Sequence, residues 1–219
     1  MPDNQYPAEN IEIINGYTAR WVVPVSQPPI EHGVILVRGQ QIIEVASADE
    51  LRININGTLT DLGESIVFPG YINAHTHLEH PTLAEPPANF VKYMQFLHDY
   101  YSQPNETKNG SNAVANLEDS LNFGTIALAD FTSKGASYAA LRTSPAFARL
   151  FFEVNGFKGF NADQIIRAYR DLIKEETNER RITKHLAPTS VWSTSPQLFR
   201  EINTSERHIA IHMDIIPEE

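Results

Sequence analysis

His75 and His77 stand two residues apart in FPGYINAHTHLEH, Phe68 to His80. A Pro-Gly punctuator and a short apolar segment, Tyr71 and Ile72, precede them. Alternate residues of a β-strand share one face, so both imidazoles aim at a single point while Thr76 faces away. Imidazole is the commonest protein ligand for a zinc-like metal, and two on rigid backbone make half a site. Cysteine is absent, which excludes a disulfide framework, a thiolate metal site and a thiol nucleophile. Histidine and carboxylate must then hold any metal, and metal-activated water is the expected nucleophile.

The elements around the pair show how it is positioned. Residues 1–68 carry short alternating segments, Ile11–Ile14, Tyr17–Val23, Ile30–Val37 and Gln40–Ala46, punctuated by Gly16, Pro28-Pro29 and Arg38-Gly39. This spacing predicts a small antiparallel β-domain, with a helical turn capped by Ser47 and a short strand over Glu64–Phe68. From Tyr71 the rhythm changes. Apolar strands alternate with helical patterns, the signature of βα units and a parallel sheet. Strands are predicted over Thr125–Phe131, Ala146–Val154, Ile182–Ala187 and Arg207–His212. Helices are predicted over Ala88–Ser102, a second segment ending at Gly124, Gly135–Arg142, Asn161–Thr177 and a segment begun by Ser195-Pro196. Asn161 and Gln164 form a capping-box pattern ahead of an apolar face of Ile165, Ile166, Tyr169, Leu172 and Ile173. Ser195 and Pro196 read as an N-cap and first helical position.

His212 ends its strand as His75 and His77 end theirs. In a parallel α/β barrel, active sites lie at the carboxyl ends of strands, so a third imidazole from that edge converges on the same point. His208 on the same strand would sit roughly 13 Å away, too far to share a metal. His32, His98 and His185 have no supporting spacing and read as structural, and His80 is ambiguous. Glu79 lies just past the pair, and Glu153 ends the third strand. Both are candidate substrate contacts. Asp130 ends the second strand and can orient neighbours by hydrogen bonds. Trp192, in the loop after the fourth strand, is a candidate apolar wall for a planar ligand.

Composition limits the partners. The chain has 17 basic and 27 acidic residues, a formal charge of −10, and is 42% hydrophobic. It can bury a core, and the charge argues against nucleic acid or an anionic membrane as partner. The start, MPDNQYPAEN, shows no signal pattern and no apolar run approaches about 18 residues. A soluble cytoplasmic protein acting on a small molecule is the expectation, with homo-oligomer formation open.

The sequence resembles the amidohydrolase superfamily of metal-dependent hydrolases and deaminases. The motifs are PGYINAHTHLE at Pro69–Glu79, GTIALADFTS at Gly124–Ser133, FFEVNG at Phe151–Gly156, LAPTSVWSTSPQL at Leu186–Leu198 and IAIHM at Ile209–Met213. The HTHLE form is similar to the chlorohydrolase-like branch that includes aminofutalosine deaminases. The resemblance implies an α/β fold: a distorted TIM-type (β/α) barrel flanked by a β-sandwich built from both chain ends. Here that means a small β-sandwich part over 1–68 and about strands 1–5 of the barrel over 69–219. It further implies that His75, His77 and His212 bind one divalent metal, zinc or alternatively iron. The metal would activate water for attack on a planar carbon, with loss of ammonia from a purine-like or other aminated heterocycle. Hydrolysis of a cyclic amide or ring C–X bond would use the same site. Branches with two metals bridge them with Lys or Glu at the end of strand 4. Here that edge is Ala187-Pro188-Thr189 and Lys184 lies too early, so one metal is expected.

The chain departs from the pattern at two positions. Thr189 stands where deaminases carry a substrate-contacting His, and Ile215 stands where the strand-5 proton shuttle is usually Glu. Asp214 and Glu219 lack the spacing to replace it. These departures keep open a non-catalytic metal-binding homologue. A strand-6 His and a strand-8 Asp, the family's further ligand and base, lie beyond residue 219 if present. A TIM barrel takes about 250 residues, more than follow position 68. The expectation is therefore the N-terminal portion of a longer enzyme, inactive alone, with its catalytic base unassigned.

Overall fold

The computed structural model describes residues 12–83, 85, 87–102, 106–156, 161–174, 181–205 and 208–213. Internal contacts divide the chain into two units, Met1–Pro69 and Gly70–Glu219. The first holds β1 (Ile14–Val22), β2 (Ile30–Arg38), β3 (Gln41–Ser47), β4 (Leu59–Asp61) and β5 (Ile66–Val67). They form one sheet in the order β3-β2-β1-β4, with β5 also on β1. The β1–β2 and β2–β3 pairs are antiparallel, whereas β4 and β5 run parallel to β1, so the sheet is mixed. Ala19, Val22, Val34 and Leu36 are its buried apolar residues.

Gly16 does not end a strand, contrary to the sequence expectation. β1 runs straight through it, because a Cβ there would meet the side chains of Ile55 and Leu59 at 2.8 Å. The glycine admits close packing instead of making a turn. The turn at Ser47 is a 3₁₀ segment, Ala48–Glu50, and the Ser47 hydroxyl donates to Glu50 Oε2 at 2.8 Å instead of capping the backbone. Ile11 lies outside the described residues.

The second unit runs β6 (Tyr71–Thr76), α1 (Phe90–Ser102), α2 (Glu106–Asn122), β7 (Thr125–Thr132), α3 (Ala136–Thr143), β8 (Phe147–Val154), α4 (Ala162–Ile173), β9 (Ile182–Pro188) and α5 (Pro196–Ser205). Its sheet is parallel throughout, with strands in chain order β6-β7-β8-β9. That order is the one successive βα units produce when each crossover returns to the neighbouring position.

Strand alternation sorts the side chains into two layers. Leu128, Ala148, Leu150, Phe152, Val154, Ile182 and Leu186 form one core with Leu117 of α2, Leu141 of α3, Ile166 of α4, and Leu198 and Ile202 of α5. Phe131, Phe151 and Ala187 pack together as a second cluster, with Ala129 and Ala210 against it. Lys184 Nζ sits 3.8 Å from the centre of the Tyr138 ring of α3, which directs this lysine to the helix layer.

Two helical expectations change. Asn161 makes no side-chain capping bond to α4, and Leu172 is 43% exposed, off the helix's packed face. Residues 175–177, expected to continue that helix, lie outside the described residues. Ser195 caps α5 as expected, its Oγ accepting from Leu198 N at 3.3 Å. Of the expected strand Arg207–His212, Arg207 lies outside the described residues, and 208–212 meet the sheet through one bridge, Ser190 to His212. Ile209, Ala210 and Ile211 make no ladder pairs, and a single rung does not define a strand.

Candidate metal centre

β6 delivers His75 from its penultimate position and His77 from one residue past its end. β7 supports both rings from below, with Phe131 stacked on His75 at 4.5 Å between centroids. His212 arrives from the far edge of the sheet, where its N–H donates to Thr189 O at 3.3 Å. The three Nε2 atoms form a near-equilateral triangle. His75 and His77 are 3.3 Å apart, His77 and His212 3.1 Å, and His212 and His75 3.1 Å.

Tetrahedral nitrogen ligands about 2.0–2.1 Å from zinc stand about 3.3 Å apart. The triangle has the dimensions of one face of such a tetrahedron. His212 Nδ1 lies 2.7 Å from Thr189 O, an acceptor, so Nδ1 carries the proton and Nε2 presents its lone pair to the other two rings. Protonation of His75 and His77 is disfavoured. Burial, then the neighbouring histidines, hold His77 down to about 3, and burial with His212 lowers His75. Neutral imidazoles are the form that binds a metal. These three residues are the group of His, Asp and Glu among the described residues whose donors converge closely enough to hold an ion.

Beside the triangle opens a cavity of about 670 Å³. His77, His212, Glu153, Thr189, Ser190 and Ser193 line one side, and Phe90, Tyr93, Met94, Leu97 and His98 of α1 line the other. Neither Lys nor Arg is among the described lining residues. Glu153 is raised to about 7 by burial and by the charge of Glu79, and its Oε1 lies 3.7 Å from His212 Nδ1. Thr189 Oγ1 is buried without a hydrogen-bond partner among the described residues.

The expected substrate contacts separate. Glu153 lines the cavity. Glu79 does not: it is 3% exposed, and its Oε1 accepts from the Thr132 hydroxyl and from Ser137 N. Trp192 is 56% exposed in the turn after β9 and is not among the lining residues. His208 is exposed and packs edge-on against His185, 5.5 Å between centroids. Asp214, Ile215 and Glu219 lie outside the described residues.

Sequence reasoning missed the α1 wall and the use of His80. A turn closed by His80 N donating to His77 O at 3.1 Å stacks the two rings at 4.3 Å. His80 Nδ1 lies 3.1 Å from Tyr93 OH, and burial, with His212, lowers this histidine to about 4. The three-residue spacing of His77 and His80 was the available signal. Nothing in the sequence paired either with Tyr93.

No family model matches the chain. The 5-methylthioadenosine/S-adenosylhomocysteine deaminase of Nitratidesulfovibrio vulgaris is 26% identical over 200 residues, covering 85% of this chain and 44% of that protein. The 5'-deoxyadenosine deaminase of Methanococcoides burtonii is 24% identical over 224 residues, covering 96% of this chain and 49% of the relative. An adenosine deaminase from Xanthomonas campestris, solved with bound zinc, shares the fold at a TM-score of 0.75 and 14% identity, covering 94% of this chain and 50% of that one.

The chain is similar to these deaminases in sequence and shares its fold with the zinc-bound structure.

The chain spans about half the length of the curated relatives it matches. Its mixed α/β fold, a small β-sheet unit followed by a parallel sheet with helices, matches half of the adenosine deaminase structure. No helix among the described residues is long and apolar enough to cross a membrane.

Proposed function

We propose that this chain carries the metal-binding part of an amidohydrolase that removes an amino group from a purine-like or other aminated heterocycle. The observation that carries the reading is the triangle of Nε2 atoms on His75, His77 and His212. In this reading the three histidines hold one divalent ion, zinc before iron. A divalent ion supplies Lewis acidity and brings the ionisation of water towards neutral pH.

The remaining work falls to residues of the chain. Thr189 O holds His212 in the tautomer that offers Nε2. Glu153, raised to about 7, is protonated in part at neutral pH and can give a hydrogen bond to, or take one from, a ring nitrogen. The α1 residues Phe90, Tyr93 and Leu97 offer an apolar wall to a planar ring, and Thr189 Oγ1 offers a hydrogen bond. The described lining, which carries neither Lys nor Arg, suits an uncharged heterocycle better than a phosphorylated one. The sequence relatives named above are deaminases of modified adenosines, which supports the same class.

The test uses the full natural protein loaded with one equivalent of zinc and offered adenosine-type nucleosides, pterins and triazines. Ammonia release with the ring intact supports deamination. Ring opening or halide release would replace it with the cyclic amide or C–X reading. Zinc bound without turnover of any compound would favour a non-catalytic homologue, the reading suggested by Thr189 in the position of a substrate-contacting His.

A further inference from the structure

The residues that follow β6 leave the sheet, so their carbonyls lose ladder partners and need others. Two asparagines one turn apart on α2 supply them. Asn116 Nδ2 donates to Leu78 O and to His80 O, both at 2.9 Å, and Asn112 Nδ2 donates to Glu79 O at 3.1 Å. Residues i and i+4 of a helix share a face, which lets the pair address three successive carbonyls. The amide orientation of Asn116 follows from Thr82, whose Oγ1 lies 3.1 Å from Asn116 Oδ1 and donates to it. From the opposite side, Asp130 Oδ1 accepts from Leu78 N at 2.8 Å. Asn112 Nδ2 also reaches Tyr100 OH of α1 at 2.9 Å, joining this loop to the helix that walls the cavity.

We infer that Asn112 and Asn116 are positioning residues for the metal centre: they clamp residues 78–80 so that His77 is presented to His75 and His212. The inference rests on the metal reading above. The loop's backbone is bonded on both sides, so His77 cannot swing without breaking several half-buried hydrogen bonds. The ring therefore stands ready before an ion arrives. Neither asparagine touches the imidazoles, and both act through backbone carbonyls.

Titration of the metal-free protein with Co(II), read by visible absorption, tests this without any substrate. Asn116→Leu removes two of the three bonds at nearly constant volume. The expected result is a Co(II) affinity lower by roughly tenfold, in the range outer-shell partners command, with altered absorption bands and an unchanged circular dichroism spectrum. Leu117→Ala is the control: it deletes a buried core side chain one residue along the same helix, lowers the melting temperature, and leaves affinity and bands unchanged. If Asn116→Leu does not fold, Asn112→Leu, which removes one bond to the loop, decides the matter by a severalfold loss against the same control. Equal Co(II) affinity and spectra in the folded asparagine variants would overturn the clamp, and so would an equal loss in Leu117→Ala. Failure of the unaltered protein to bind Co(II) would instead sink the metal reading, and the clamp with it.

Discussion

His77 and His212 are 135 residues apart in the chain, and their Nε2 atoms are 3.1 Å apart. One is anchored by the loop after the first strand of the parallel sheet, the other by a single bridge beyond the last. Replacing either ring by alanine leaves two donors, and the expected outcome is loss of zinc affinity by more than roughly 100-fold, beyond what outer-shell changes cost. Competition with a chromophoric chelator measures it. A His212→Ala variant that keeps stoichiometric, tight zinc would refute the three-histidine site.

Asp130 gives a pH signature. Burial, helped by the charges of Glu79 and Glu153 and opposed by bonds from Leu78 N and the Ser137 hydroxyl, raises this carboxyl from 3.8 to about 7. The folded chain then holds a proton that the unfolded chain releases above pH 3.8. Its contribution to stability is complete below that pH and is lost as pH rises through about 7. Asp130→Asn keeps an acceptor for Leu78 N and removes the titration. Urea midpoints taken across about pH 4 to 8 should fall less steeply in the variant, and an unchanged slope would contradict the assignment.

Leu150 lies in β8, inside the four-stranded sheet, and has no exposed surface. It belongs to the core that joins the sheet to its helices. Leu150→Ala should destabilise the protein by about 2–5 kcal/mol, measured by urea denaturation. A loss under about 1 kcal/mol would show that the site collapses around the smaller side chain.

Gly135 adopts φ +83° immediately before α3, and a Cβ there would stand 3.0 Å from Phe152 Cε1. Its N–H donates at 2.7 Å to Thr132 Oγ1, the hydroxyl that also bonds Glu79. Gly135→Ala should cost about 1–2 kcal/mol from backbone handedness alone. Differential scanning calorimetry at neutral pH would register it as a lower melting temperature. No change would mean the turn can relax to negative φ.

Much of this protein was readable from local chemistry. The two-residue spacing of His75 and His77 brought both rings to one point, although β6 ends at Thr76, because side-chain alternation is set by the local backbone. The switch from β-rich segments to alternating strands and helices marked the parallel sheet for the same reason. Arg207–His212 shows the limit, since strand character depends on ladder partners and only His212 makes a bridge among the described residues. Glu79 and Glu153 look alike as carboxylates near strand ends. Tertiary packing turned one towards Thr132 and Ser137 and left the other in the cavity.

The sequence by itself determined the ligand types, the absence of thiol chemistry and the order of the βα units, all of which follow from residue identity and short-range geometry. Only the tertiary structure decided that His212 closes the triangle, that α1 walls the cavity and that Asn112 and Asn116 hold the histidine loop. Those relationships join residues distant in sequence. The packing of sheet against helices creates them, and no local pattern encodes them.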